Sequence, residues 1–416
     1  MTAPSPHTKR ETLMLDTPYV APEGERETAI AEIWSAAFGI ADLGVEDDFF
    51  DLGGDSVIAE TITRQIGEML KINLKAGALV EARTVRDIAE LLDNASGNSL
   101  PSHLVPLRSG GGRTPIFIVH GAAGLLFPSA AFMDGFHADQ PIYAFQVPGY
   151  DGHFEPLDSV EEIATEYLRC MRMVSQDGPW HLAGFCHGSW IAFEMAIQLA
   201  EEGRKPLSLT LLDPGVQEGQ MLNDYMRFTR RRGKNGLATA IAELKFGAKS
   251  MLDAWRCWRA TGHWIAPSDP RCFDIPEVWD YLQKRNRERQ ARALNKAGSN
   301  ATEQELTERQ WMWDREGEGA FDTEKELELQ RTDAANEAIS RLKRAWYKYG
   351  PHTPLQSRVH MVASEFQNEK LKNPAYPIRR LMPDLVITVL GKYHNDTVST
   401  KGPENARIIQ RIADDA

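Results

Sequence analysis

No stretch of this 416-residue chain holds the eighteen or so consecutive apolar residues that a membrane-crossing helix needs, and its first residues lack the apolar core of a secretory signal. A helical span is excluded, and a cytoplasmic location is the expectation. Cysteine is scarce. Cys170, Cys186, Cys257 and Cys272 have neither the spacing of a disulfide framework nor that of a metal site, which fits a reducing compartment and no bound metal. Positive charge is not in excess, because the net charge of −12 leaves no basic surface for nucleic acid. Internal repeats are absent too, so solenoid architectures drop out.

What is present is enough apolar sequence, 42%, for cores in two or three domains. Residues 1–24 are polar and contain proline, and read as a mobile leader. Ile30, Ile33, Trp34, Ala37 and Phe38 then recur at helical spacing. Acidic residues gather from Val45 to Ser56, and Ile58, Ile62, Ile66, Met69 and Leu70 mark the next helix. Thr84 is placed to cap another, carrying Val85, Ile88, Leu91 and Leu92. Residues 95–113 are rich in Gly, Ser and Asn and read as a flexible linker.

Beyond the linker the pattern changes to buried strands alternating with helices. Pro115–His120, Ile142–Val147, His181–Phe185, Leu207–Leu212, Arg358–Val362 and Leu385–Leu390 read as strands. Val160–Met171, Ile191–Leu199 and Glu404–Ala413 read as helices. A mostly parallel α/β sheet follows. Strand signals vanish between about 216 and 349, where charged helical sequence holds seven of the ten tryptophans. This reads as a helical lid insertion, or as a helical subdomain whose tryptophans are only core.

The stretch with most chemical content is Gly184-Phe185-Cys186-His187-Gly188, at the end of a strand and the start of a helix. That spacing is a nucleophile elbow, in which a strained turn lifts one side chain above a parallel sheet and small residues two before and two after it admit the backbone. The central residue is a thiol, an intrinsically strong nucleophile when ionised. The bland alternative is a tight turn holding a small buried Cys. Acyl transfer by a thiol needs a base and an orienting acid, which in the α/β-hydrolase order follow the nucleophile as acid and then histidine. Asp213 at a strand end and His394 on a late loop stand in that order; Asp396 is a rival acid. His120 and His187 read as wall residues, and His181 as a core histidine.

Asp48-Phe49-Phe50-Asp51-Leu52-Gly53-Gly54-Asp55-Ser56 before a helix resembles the peptidyl carrier domain of non-ribosomal peptide synthetases, over about residues 25–94. The resemblance implies a small all-α four-helix domain with 4′-phosphopantetheine on Ser56. A phosphodiester suits a helix N-terminus, although Asp55-Ser56 also suits a plain cap. Residues 114–416 resemble the type I thioesterase domains that close peptide and polyketide assembly lines, through His120-Gly121-Ala122-Ala123-Gly124, Gln146-Val147-Pro148-Gly149, the elbow and Leu211-Leu212-Asp213. This implies an α/β-hydrolase with lid at about 216–349, Cys186 as nucleophile, Asp213 as acid, His394 as base, and the N–H groups of Ala122 and His187 as oxyanion hole. Cys in place of the usual Ser is a departure from the family. The implied partners are a phosphopantetheinyl transferase, upstream synthetase modules or other carriers, and an acyl or peptidyl thioester. The expected activity passes the acyl group to Cys186 and on to a nucleophile. A purely hydrolytic thioesterase and a non-catalytic carrier-binding module are the alternatives.

Overall fold

The computed structural model describes residues 8–70, 74, 76–94, 100–214, 251–265, 275, 277–278, 281–282, 284–285, 332–351, 353–372, 376–392, 394, 397–398 and 401–416. The first four helices, α1 (Gly24–Phe38), α2 (Ser56–Leu70), α3 (Ala78–Glu81) and α4 (Val85–Asn94), enclose a core of Ile30, Trp34, Phe49, Ile62, Ile66, Leu79 and Ile88. The helical spacing read for α1 and α2 holds, except that Met69 lies exposed on the outer face. Thr84 caps α4 reciprocally: its Oγ1 accepts from Asp87 N–H at 3.1 Å, and Asp87 accepts from Thr84 N–H at 3.1 Å.

The segment read as a mobile leader is tied down from residue 8. Thr8–Lys9 pairs in parallel with Ile40–Ala41, Val20 O accepts from Val45 N–H at 2.9 Å, and Arg10 forks onto the buried carboxylate of Asp47 at 2.6 and 2.7 Å. One charged residue in a polar stretch does not announce a partner 37 positions away, and here that partner holds the segment in place.

Seven strands form the main sheet: β1 (Leu104–Arg108), β2 (Ile116–Val119), β3 (Ile142–Phe145), β4 (His181–Phe185), β5 (Ser208–Leu212), β6 (Val359–Ala363) and β7 (Leu385–Val389). Their order is β1-β3-β2-β4-β5-β6-β7, parallel throughout except for β1, which pairs antiparallel with β3. This is an α/β-hydrolase sheet. β1 corrects the linker reading, since Leu104, Val105 and Leu107 are buried and the hydrolase half begins inside 95–113. Flanking Gly, Ser and Pro masked a five-residue strand that completes one edge.

α5 (Ala130–Met133), α6 (Val160–Val174), α7 (Gly188–Glu201) and α8 (Asp333–Lys348) pack around the sheet, with α9 (Glu365–Leu371), α10 (Pro377–Leu381) and α11 (Gly402–Asp414) in the last part. α6 and α7 share one core with Phe117, Phe145 and Leu211, and that core extends to Ala338, Ile339 and Leu342 of α8. Among the described residues of the expected lid, α8 packs into the core beside the sheet. Trp255 and Trp258 of the helix over residues 251–261, and Trp264 just past its end, lie at the surface, 39%, 48% and 55% exposed, so these three are not the apolar underside expected of the insertion. Trp279, Trp311 and Trp313 lie outside the described residues.

Candidate active site

β4 ends at Phe185, and the chain turns into α7 through Cys186 at φ 50°, the left-handed region that L residues enter only under constraint. Both glycines of the motif are forced by close approach. A Cβ at Gly184 would stand 2.6 Å from the Gly188 carbonyl oxygen, and one at Gly188 would stand 1.9 Å from that of His120. The turn is held by Cys186 N–H donating to Leu212 O at 2.9 Å and by Ser189 Oγ donating to Gly184 O at 2.6 Å. Replacing Gly188 by Ala should therefore cost about 3 kcal/mol or more, because the atom in the way is backbone. Thermal unfolding checks this: a midpoint drop of about 6 °C or more is expected, and an unchanged midpoint contradicts the close packing.

Asp213 follows β5, also at positive φ, 41°, and is anchored by its N–H to Val362 O at 2.7 Å. Its Oδ1 accepts from the Ser364 N–H at 2.8 Å and hydroxyl at 3.2 Å, which turns Oδ2 toward His394 Nδ1 at 2.7 Å. His394 Nε2 lies 3.1 Å from Cys186 Sγ. Three residues from three strand ends thus form one continuous line. Asp396, the rival acid, lies outside the described residues.

The charge balance in this line is that of an ion pair. Burial pushes the Cys186 thiol up, but the charges of His187 and His394 and hydrogen bonds from both rings outweigh it and bring the thiol well below its ordinary value. Burial pushes His394 down, whereas the Cys186 charge and the hydrogen bonds to Asp213 and Cys186 raise it to about 10. Thiolate with imidazolium is the favoured resting form. The His187 side chain contributes here, beyond the wall role read from sequence, and its ring lies against Trp346 of α8 with centroids 3.7 Å apart.

The oxyanion candidates flank the sulfur. His187 opens the first turn of α7, and Ala122 follows Gly121, at which a Cβ would lie 3.9 Å from that of Cys186. His120 is fully buried behind this loop, not a wall of the site. Its Nδ1 meets Gly121 O at 2.7 Å and its Nε2 meets the Tyr167 hydroxyl at 2.9 Å. Burial first, and then the His187 charge, keep it neutral with its pKa lowered to about 4, so it positions Gly121 rather than exchanging protons. His181 is the core histidine expected, bonded to Ser208 Oγ at 2.8 Å. The roles of Ser364 and Tyr167 went unread in the sequence, and the His187 ring was read only as a wall. Only Ser364 left a signal, as a capping residue between a strand and α9.

At the other candidate site, Asp55 Oδ1 accepts from Val57 and Ile58 N–H, both at 2.9 Å, so Asp55 supplies the cap of the fifteen-residue α2. Ser56 is the first residue of that helix, behind Gly53 at φ 84° and a Gly54 on which a Cβ would stand 2.4 Å from the Phe49 ring. A helix N-terminus approached by a glycine turn fits a phosphodiester.

Residues 28–92 match the family model for a phosphopantetheine attachment site, and residues 114–270 match that for the thioesterase domain. Malpibaldin synthetase of Mortierella alpina is 33% identical over 255 residues, 60% of this chain and 4% of that protein. A dimodular nonribosomal peptide synthase of Bacillus subtilis is 34% identical over 192 residues, 46% of this chain and 8% of that protein. The chain thus spans less than a tenth of either relative. Among solved structures, the four domain nonribosomal peptide synthetase holo-AB3403 is 19% identical, covering 96% of this chain and 27% of that one, with a TM-score of 0.43. The NocB thioesterase domain from the nocardicin cluster is 15% identical, covering 76% of this chain and all 100% of that one, with a TM-score of 0.41.

Proposed function

Starting from a chain that is a phosphopantetheine carrier domain followed by a thioesterase domain, we propose that it takes an acyl or peptidyl thioester of non-ribosomal peptide biosynthesis onto Cys186 and then releases or transfers it. The observation that carries the reading is the line Asp213–His394–Cys186, with 2.7 Å and 3.1 Å between successive partners. Ser56 is the residue that holds 4′-phosphopantetheine, whose terminal thiol, when bound, carries acyl groups as thioesters.

The steps follow from the chain's own groups. The Cys186 thiolate attacks the thioester carbonyl carbon, a C–S bond forms, and the electron pair moves to oxygen, where the Ala122 and His187 N–H groups donate to it. Collapse breaks the substrate's own C–S bond, and the departing sulfur takes the proton from His394 Nε2. His394 is then neutral. It accepts the proton of the acceptor, whether water, amine, alcohol or second thiol, as that group attacks and Cys186 leaves as thiolate.

A thiol nucleophile sets the energetics of this exchange. Sulfur replaces sulfur, so the acyl group stays activated, whereas a serine would take it down to an oxyester. That supports transfer, or capture by a group within the acyl chain, beside hydrolysis. A phosphopantetheinyl transferase and upstream modules or other carriers are the partners this requires.

Incubation with a phosphopantetheinyl transferase and coenzyme A tests the carrier assignment. One phosphopantetheine mass should appear on the peptide containing Ser56 and vanish in Ser56→Ala. Modification that persists in the variant contradicts it.

A further inference from the structure

The two halves of the chain meet through aromatic rings. Phe49 and Phe50 lie in the loop leading to Ser56, and both face Phe127 of the hydrolase half, at 6.1 Å edge-on and 6.2 Å tilted. Phe49 is itself fixed in the carrier core, 5.8 Å from Trp34, and its carbonyl accepts from Gly54 N–H at 2.8 Å. Phe50 carries the Arg83 guanidinium over its ring at 5.0 Å. A second contact fixes the same face: Glu81 of α3 accepts from Ser109 N–H at 2.9 Å and from its hydroxyl at 2.5 Å, and Val80 packs with Val105 and Leu107 of β1.

Phe127 belongs to the loop between β2 and α5, which also holds Ala122. This loop is held at several places. His120 holds Gly121 O; Gly124 O accepts from Val147 N–H at 2.6 Å; Leu125 and Leu126 pack against the cores of the hydrolase half; and Phe127 packs against the same core as Leu126 and also meets the carrier rings. Gly124, at φ 80°, has no space for a side chain, since a Cβ would stand 2.8 Å from Val147 and 3.1 Å from Ile339 of α8. The ring contacts of Phe127 with Phe49 and Phe50 tie this loop to the one that presents Ser56.

We propose that Phe127 is a positioning residue through which the seated carrier holds the 121–127 loop, and with it the Ala122 N–H, in place beside Cys186. Seating the carrier and completing the oxyanion hole are then one event, so the acyl group is attacked only while its own carrier is docked. The inference rests on the roles given above to Ala122 and Cys186, and adds that a residue pair remote from the sulfur sets the rate there.

The test uses the full chain and a small diffusible substrate, an acyl N-acetylcysteamine thioester, which needs no carrier arm. Phe50→Ala and Phe127→Ala should each lower its kcat about tenfold with KM within about twofold, since ground-state binding does not use the oxyanion donor. Phe127→Tyr, which keeps the ring, should restore the rate. Hydrogen exchange at 121–127 should speed up in Phe50→Ala, while modification of Ser56 by the transferase reports that the carrier remains folded; Phe50→Leu serves if it does not. Wild-type turnover of the small thioester in both alanine variants, with unchanged exchange, overturns the proposal and leaves a docking surface only. No acyl adduct on Cys186 in the wild type contradicts the nucleophile assignment instead, and the exchange measurement still decides the coupling.

Discussion

Cys186→Ala should lower acyl release by about 10⁴- to 10⁶-fold, leaving the loaded carrier intact, because the thiol assigned to form the covalent acyl bond is gone. The sulfur lies 3.1 Å from His394 Nε2, and the Cys186 Cβ stands beside Gly121, the neighbour of Ala122. Cys186→Ser tests a narrower point. The imidazoles that hold a thiolate beside them do not ionise an alcohol, and a serine acyl-enzyme is an oxyester. The serine variant should retain a fraction of hydrolysis and lose transfer to a thiol acceptor. Chromatography of released product against acyl-carrier mass separates the two variants, and wild-type release by Cys186→Ala contradicts the assignment outright.

The second large effect is expected at Asp213. Ser364 donates to Oδ1 through both its N–H and its hydroxyl, so an amide at this position must place its oxygen there and its NH₂ against His394 Nδ1. That forces the tautomer with a proton on Nε2, facing the sulfur, and removes the carboxylate that supports the imidazolium. Asp213→Asn should therefore cost about 10⁴ in kcat, with the fold unchanged. His394→Ala should act on the thiol as well. With the His394 charge and hydrogen bond gone, two of the influences that depress the Cys186 pKa disappear and the thiol titrates at higher pH. Wild-type alkylation by iodoacetamide should be flat from neutral pH upward and fall only on acidification. In His394→Ala the rate at pH 7 should drop by about 3- to 30-fold and recover as pH rises toward the ordinary thiol value. An unchanged profile would show that the imidazole does not govern the sulfur.

How much of this was legible in the sequence depends on the range of the interaction. The elbow was readable because Gly184 and Gly188 answer a local steric demand, backbone against backbone, that no larger residue satisfies. Cys186, Asp213 and His394 were readable as an order along the chain, since each stands at or beyond a strand end and parallel strands bring such ends to one edge of the sheet. Their distances were not. Ser364 meets Asp213 across 151 positions, and no periodicity foretells that contact. The same limit explains the two misread segments, one before the first domain's helices and one at the start of the hydrolase half. Arg10 and the strand at Leu104–Arg108 sit among polar and small residues that mimic loop composition, and only the partners, Asp47 and β3, give them structure. Among the described residues the tryptophans of the insertion divide: Trp255, Trp258 and Trp264 face outward, and Trp346, on α8, lies against the site through His187.

The claim on which the account turns is that the acyl group resides for a time on Cys186 sulfur. Digestion and mass spectrometry of the holo protein, loaded with an acyl group and quenched at acid before acceptor is added, measures this directly. The expected result is one acyl mass on the peptide containing Cys186, present in the wild type and absent from Cys186→Ala. Product formation with the acyl group found only on Ser56, or on a residue other than these two, would contradict it.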